Sequence, residues 1–177
     1  MSAVTGPIEP AASSFLADIY VRALPEVYGY LQHRVQDIPL AEDLTAETFL
    51  QAARSLRDGT LATVTTPWLM TVARNKLIDH WRRQATADRA LSAVASASED
   101  AMDDWDVRLD GLRAREMLSR LSAQHRAALT LRYLDGLGVA EVAELLERTL
   151  HATEALLVRA RAAFRQSYED EGGDRHG

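Results

Sequence analysis

The chain contains no cysteine, and Lys76 is the only lysine among its 177 residues. The absence of cysteine excludes disulfide frameworks, thiolate nucleophiles and cysteine-ligated metal sites. It also suits a reducing compartment, so we expect a cytoplasmic protein. The other basic residues are arginines, which favour bidentate contacts with phosphate or guanine, although genomic base composition can produce the same bias.

Long hydrophobic runs are missing as well. No stretch approaches the ~20 consecutive apolar residues that a transmembrane helix needs. Residues 1–14 have no basic residue ahead of an apolar run, so we expect neither a signal peptide nor membrane insertion. The apolar content of 47% nevertheless supports hydrophobic cores in one or two small domains, and the net charge of −6 makes the chain acidic.

The signatures of common enzymes are also absent. The five histidines are scattered, with no H-E-x-x-H or E-x-x-H pair and no glycine-rich phosphate loop. Asp79 and His80 are adjacent, and neighbours on a helix point ~100° apart, which makes a poor acid–base pair. We therefore expect no catalytic residues, no metal and no cofactor, and an enzyme is the less favoured interpretation.

Residues 67–83 are the most informative stretch. Thr66 is a suitable N-cap, and Pro67 suits the first position of a helix. Apolar residues at helical spacing predict a buried face made of Trp68, Leu69, Val72, Ala73, Leu77 and Trp81. The remaining surface is basic and polar, with Arg74, Asn75, Lys76, Asp79, His80, Arg82 and Arg83. Its cations would attract phosphate, and an asparagine amide can bond a base edge; a merely solvated basic face is the alternative.

Two more helices are predicted upstream. An apolar stripe over residues 15–31 predicts a helix from Ser13 or Ser14, with a kink or a break into two helices at Pro25. Pro39 opens the next helix, and its first turn should carry Glu42 and Asp43. Three helices of this kind can enclose one core.

The composition changes between residues 87 and 110, where alanine, serine and then acids dominate. This predicts an acidic linker that is at best partly helical. Beyond it, Ser122 should cap a helix to about Asp135, followed by a short helix and a longer one from Leu150 or Ala152 to Tyr168. This order is typical of a helix-turn-helix, and a plain helical hairpin is the alternative.

The predicted fold is therefore all-α. It has a helical domain at residues 13–86 and a helix-turn-helix domain at residues 111–168, joined by the acidic linker at 87–110. Residues 1–12 and 169–177 are expected to be tails.

Several motifs resemble those of the small two-domain bacterial sigma factors of the extracytoplasmic-function (ECF) group. Residues 41–49 resemble that family's core-polymerase-binding motif, and residues 68–83 resemble its promoter-melting and minus-ten helix. Residues 129–133, 140–143 and 159–161 resemble parts of its minus-thirty-five domain. Together the similarities cover roughly residues 14–166, and their order and spacing carry the match.

The resemblance implies a protein that binds RNA polymerase core, through the β′ and β subunits, and directs it to promoter DNA without catalysis. It also implies that an anti-sigma factor could be a partner. The implied core-binding residues are Asp43, Leu44, Glu47 and Phe49. Those for the minus-ten element are Trp68, Arg74, Asn75, Lys76, Asp79, His80 and Arg83, with residues 57–66 as the loop that shapes a base pocket. Those for the minus-thirty-five element are Arg148, His151, Thr153, Glu154, Arg159 and Arg161.

The chain also departs from the family pattern. Ala46 replaces the usual glutamine of the core-binding motif, and Glu147 replaces the turn glycine, so we expect a turn without positive φ. The recognition helix carries unusual residues at Ala152, Glu154 and Leu156, which predicts weaker or altered minus-thirty-five binding. We expect Glu154 to disfavour phosphate or to accept a hydrogen bond from a cytosine amino group.

Two other functions remain as alternatives. A stand-alone helix-turn-helix regulator would explain residues 112–168 but would leave the core-binding motif and the Arg74–Asn75 pair without a task. The altered recognition helix is also compatible with an interaction-only protein that has lost promoter recognition.

Overall fold

The structure, a computed structural model, describes residues 10–59, 64–91 and 111–173. Throughout these ranges the regular structure is helical and contains no strand, which confirms the all-α prediction. The α-helices are α1 (Pro10–Val35), α2 (Ile38–Arg57), α3 (Thr66–Leu91), α4 (Gly111–Arg120), α5 (Ala123–Leu129), α6 (Val139–Leu145) and α7 (Leu150–Gly173).

The chain divides into two compact units, Met1–Leu77 and Ile78–Gly177, and the division falls inside α3. The predicted linker lies mainly outside the described residues, although residues 87–91 continue α3 as helix. Among the described helices, none combines the length and apolar character that crossing a bilayer requires.

Helix α1 is longer than its sequence pattern predicted. It begins at Pro10 and continues through Pro25 as one helix, so two abutting helices do not form. Pro25 lies on the exposed side, and the carbonyl of Val21 that it leaves unbonded belongs to a residue that is 72% exposed, where water can replace the lost bond. Every fourth residue from Ile19 is buried, which gives α1 a continuous packed face of Ile19, Ala23, Val27, Leu31 and Val35.

Helix α2 is capped by Asp37, whose carboxylate accepts a hydrogen bond from the Leu40 N–H at 3.0 Å. The cap lies earlier than predicted, so Glu42 and Asp43 occupy the second turn, not the first, and lie further from the positive end of the helix dipole. The buried face packs on α1, and the rings of Tyr20 and Phe49 meet edge to face with centroids 4.7 Å apart.

Helix α3 begins one residue earlier than predicted. Thr65, not Thr66, is the cap, because its hydroxyl accepts a hydrogen bond from the Trp68 N–H at 3.3 Å. Four residues of the predicted apolar face are fully buried, while Trp68 and Val72 are half-buried. The buried four are Leu69, Ala73, Leu77 and Trp81. Trp81 is therefore a core residue and offers no stacking surface.

The second unit contains the predicted helix-turn-helix order. Ser122 caps α5 through a hydrogen bond from the His125 N–H, as predicted, and Gly136 ends the following segment with φ +69°. The sequence did not predict the π-helical turn Thr130–Leu134 between them. Helix α7 runs to Gly173, beyond the end predicted at Tyr168. One hydrophobic cluster of this unit draws on α4, the turn after it, α5 and α7, and consists of Met117, Leu121, Ala128, Leu129, Leu156, Leu157, Ala160 and Phe164.

The turn between α6 and α7 corrects one prediction. Glu147 has φ +52°, so the expectation of a turn without positive φ was wrong. The Glu147 N–H bonds to the Glu144 carbonyl at 3.0 Å, and the Arg148 N–H bonds to the Ala143 carbonyl at 2.9 Å. These two bonds define a Schellman motif, whose geometry requires a left-handed residue after the helix whether or not that residue is glycine.

Candidate nucleic-acid interface

The polar side of α3 faces outward along much of its length. Asn75, Asp79 and Arg83 are exposed, and Arg74, Lys76 and His80 are half-buried. The residues on the opposite side recur with the 3.6-residue period of a helix and are buried. The helix therefore packs through one face and exposes the other to solvent. The chain as a whole carries a net negative charge, whereas basic residues outnumber acidic ones on this face of α3.

Lys76 is engaged by an acidic residue of α2. Its Nζ lies 3.3 Å from Oε2 of Glu47, and the two side chains are 29% and 45% exposed. The sequence assigned these residues to different surfaces, one for polymerase and one for DNA. The structure brings them together because α2 and the part of α3 up to Leu77 belong to the same packed unit.

The acidic motif of α2 divides into surface and core residues. Asp43 and Glu47 are exposed, whereas Leu44 and Phe49 are 2% and 7% exposed and pack inside. Leu44 and Phe49 can therefore hold the surface residues of α2 in position, but they are too buried to form most of the contact area of an interface. Leu50, which the motif did not single out, is 55% exposed at the same helix.

An apolar groove of about 470 Å³ lies between α1 and α2. Its lining includes Tyr20 and Tyr28 of α1 and the exposed Ala46 of α2. Ala46 is the position where the family pattern has glutamine, and its small side chain leaves this part of the groove free of a longer side chain. The sequence drew attention to position 46, because alanine is unusual there. It gave no sign that α1 helps to line the groove.

Arg82 binds within the second unit. Its guanidinium donates to Oε1 of Glu147 at 3.0 Å and to the Leu145 carbonyl, and it lies 3.5 Å from Asp79. The Leu145 carbonyl belongs to the last turn of α6, where carbonyls lack helical partners. Arg82 therefore caps α6, and Glu147 accepts one of its hydrogen bonds.

The predicted minus-thirty-five residues have different surroundings. His151, Glu154 and Arg159 are exposed on α7. Thr153 is fully buried and its hydroxyl donates to the Thr149 carbonyl at 3.0 Å, so it is a core residue and we withdraw it from the predicted DNA contacts.

Two of the predicted phosphate-binding arginines are bonded inside the second unit. Arg148 donates to Oε1 of Gln124 at 2.8 Å, and Arg161 donates to the Tyr133 hydroxyl at 3.1 Å. Both side chains are half-buried. These bonds would compete with any contact to phosphate.

Arg126 is a structural residue that the sequence did not identify. Its guanidinium donates to the carbonyls of Leu118, Ser119 and Leu121 at 2.9 to 3.1 Å. These carbonyls end α4 and begin the turn into α5, so Arg126 supplies donors that the helix end lacks. Burial lowers the pKa of Arg126, and the Asp88 carboxylate partly opposes this effect.

His125 has a perturbed titration. Burial lowers the pKa of His125 below its usual 6.5, and the positive charge of Arg159 lowers it further. The neutral imidazole is therefore favoured in the fold. Over the described part of the chain, no three histidine or acidic side chains are grouped as a metal would need.

Comparison with known proteins identifies the family of the chain. The sigma-70 region 2 model matches residues 19–86, and the sigma-70 region 4 model matches residues 111–164. The chain is 35% identical over 152 residues to the ECF RNA polymerase sigma factor BldN of Streptomyces coelicolor, covering 80% of this chain and 56% of BldN. It therefore spans little more than half the length of that relative.

Other relatives are matched over more of their length. The chain is 34% identical to the RNA polymerase sigma factor CarQ of Myxococcus xanthus, covering 76% of this chain and 78% of CarQ. It is 30% identical to the ECF RNA polymerase sigma factor SigM of Bacillus subtilis, covering 85% and 93%. The fold is similar to that of the sigma factor RpoE of Bartonella quintana, solved with the anti-sigma factor NepR, with a TM-score of 0.51, 20% identity and coverage of 86% and 96%. The chain thus belongs to the sigma-70 family, in its extracytoplasmic-function group.

Proposed function

We propose that this chain binds RNA polymerase core through the acidic edge of α2 and contacts the opened minus-ten strand through the polar edge of α3. The observation that carries the proposal is that one packed unit presents Asp43 and Glu47 on α2 and Asn75 on α3, all outward. The same unit buries Leu44 and Leu77, so packing in its core holds both helices in place.

The polymerase contact would combine charge and apolar area. Asp43 and Glu47 are one helical turn apart, so both carboxylates can meet basic groups on a single partner helix of the β′ subunit. Leu50 and Tyr20 are exposed apolar side chains of the same unit and suit the less polar part of an interface. Buried Leu44 and Phe49 would keep this surface in shape.

The DNA contact would use Asn75 for base recognition and Arg74, Lys76, His80 and Arg83 for the strand backbone. Reading a base in this way requires its extrusion from the stack, at a cost of a few kcal/mol, and a pocket to receive it. Trp68, half-buried at the start of α3, and Asp79 lie along the same helix. Residues 60–63 of the predicted pocket loop lie outside the described residues.

The helix-turn-helix would make the weaker contact with promoter DNA. His151, Glu154 and Arg159 are available on α7, whereas Arg148 and Arg161 already bond to the chain itself. The family resemblance implies the β′ and β subunits as the polymerase partners of the chain. The protein would act in the cytoplasm, and an anti-sigma factor is a further partner, as for the RpoE relative solved with NepR.

The test is a pair of variants assayed for core association and promoter opening. We expect Asp43→Arg to abolish co-elution with RNA polymerase core, because it places a cation against the partner's cations. We expect Asn75→Ala to leave co-elution intact and to reduce open-complex formation about tenfold, since one good bidentate base contact discriminates by ~1–3 kcal/mol.

Asp18→Arg is the matched control for the charge change, because Asp18 is an exposed acid on α1 that belongs to neither proposed surface. It should behave as the unchanged chain, and circular dichroism should show all three variants folded. Equal loss of core binding in Asp43→Arg and Asn75→Ala would contradict the division into two surfaces. Tight specific duplex binding without polymerase would instead favour a stand-alone regulator.

A further inference from the structure

The ion pair between Glu47 and Lys76 connects the two surfaces of the proposed function. Glu47 lies one turn after Asp43 on α2, and Lys76 follows Asn75 on α3. The Nζ–Oε2 distance is 3.3 Å, and both side chains reach solvent. Each residue therefore has a partner inside the chain and remains accessible to a partner outside it.

We propose that Glu47 restrains Lys76 in the free chain and that polymerase binding at Glu47 releases Lys76 for a DNA phosphate. This inference rests on the proposed function of the two surfaces. A basic group of the polymerase that docks on Glu47 competes with the Lys76 ammonium for the same carboxylate. DNA phosphate competes with Glu47 for the same ammonium.

The chemistry of lysine suits such an exchange. An ammonium is a compact charge on a flexible stem, whereas a guanidinium would hold a carboxylate through two parallel bonds. Lys76 is the only lysine of the chain, and it stands in the helix where all other cations are arginines. An exposed pair of this kind is weak enough to break, because such pairs contribute at most about 1 kcal/mol.

The consequence is a coupling between two ligands. Core binding and DNA binding share the Glu47–Lys76 pair, so each should strengthen the other by the same factor. In the free chain the paired lysine adds little to DNA affinity, which together with the net charge of −6 disfavours DNA binding without polymerase.

The experiment measures binding to a labelled single-stranded oligothymidylate, first by the free chain. We expect Glu47→Gln to bind about threefold to fivefold more tightly than Asp43→Asn, which removes the same charge one turn earlier on the same helix. The slope of log affinity against log salt should steepen by ~0.7, as for one more phosphate contact to a single strand. The double variant Glu47→Gln with Lys76→Gln should lose the gain.

The same measurement is then made with saturating polymerase core. Glu47→Gln and the unchanged chain should now bind DNA equally, because the polymerase has already displaced Lys76 from Glu47. Equal affinities of Glu47→Gln and Asp43→Asn without core would overturn the inference, and so would a gain that persists unchanged with core. Failure of the unchanged chain to co-elute with core would instead overturn the proposed function, while the comparison in free chains would still report on the ion pair.

Discussion

Helix α3 and the helix-turn-helix of α4 to α7 use their polar side chains in different ways. Along α3, Asn75 and Arg83 are exposed and directed to solvent. In the helix-turn-helix, Arg126, Arg148 and Arg161 donate hydrogen bonds to oxygens of the chain itself. Exposed Arg83 can therefore meet an outside partner directly, whereas Arg126, Arg148 and Arg161 already serve as donors inside the fold.

The difference predicts an uneven division of promoter binding. A bonded arginine must break its internal hydrogen bond before it binds phosphate, and this cost reduces the net gain. Along α3, Asn75 and Arg83 are exposed to solvent, whereas Lys76 and Asp79 are already paired with Glu47 and Arg82. We therefore expect the minus-ten contact to dominate and the minus-thirty-five contact to contribute less.

The largest stability effect should come from Arg126, whose role in the second unit is structural. We expect Arg126→Met to lower the free energy of unfolding by about 2 kcal/mol, because three carbonyls lose a charged donor. Urea denaturation followed by circular dichroism measures the change. If this variant is as stable as the unchanged chain, the structural role assigned to Arg126 is wrong.

Arg120→Met is the control for that measurement. Arg120 is exposed on α4 and bonds to Glu116 one turn away at 3.0 Å. Pairs of this kind contribute only ~0.3–0.5 kcal/mol, so the loss should be several times smaller than for Arg126→Met.

Substitutions of Glu147 should change stability by an intermediate amount. Two of them together separate the cost of the left-handed backbone from the loss of the side-chain hydrogen bond. Glu147→Gly and Glu147→Ala both remove the carboxylate that binds Arg82, but only glycine adopts φ +52° without steric cost. We expect the glycine variant to be more stable than the alanine variant by about 1 kcal/mol. Equal urea midpoints would show that the turn can change its φ.

The smallest effect concerns the pH dependence of the second unit. The pKa of His125 is lower in the fold than its usual 6.5, so the unfolded chain binds the proton more readily. The contribution of neutral His125 to the stability of the fold is complete above pH 6.5. It is lost as the pH falls from there toward the lower pKa that His125 has in the folded chain. Unfolding measured from pH 7.5 to 5.5 should show less of this loss in His125→Gln than in the control His151→Gln.

Sequence periodicity predicted most of the helices because burial selects apolar residues every three to four positions. Ser122 at the start of α5 and Gly136 after the π-helical turn were identified from local chemistry alone. Local chemistry was less reliable where neighbouring residues were equally suitable, as with Thr65 and Thr66. It also left two outcomes open at Pro25, a kink or a break, and the structure excludes the break because α1 continues through Pro25 as one helix.

The sequence by itself determined the all-α class, the helix-turn-helix order and the family, since each depends on patterns along the chain. The structure decided which polar side chains are free to bind a partner. The pair of Glu47 with Lys76, the bonds of Arg126 and the burial of Thr153 each depend on the three-dimensional fold. Distance and solvent access determine electrostatic and hydrogen-bonding partners, and neither follows from residue type or spacing alone.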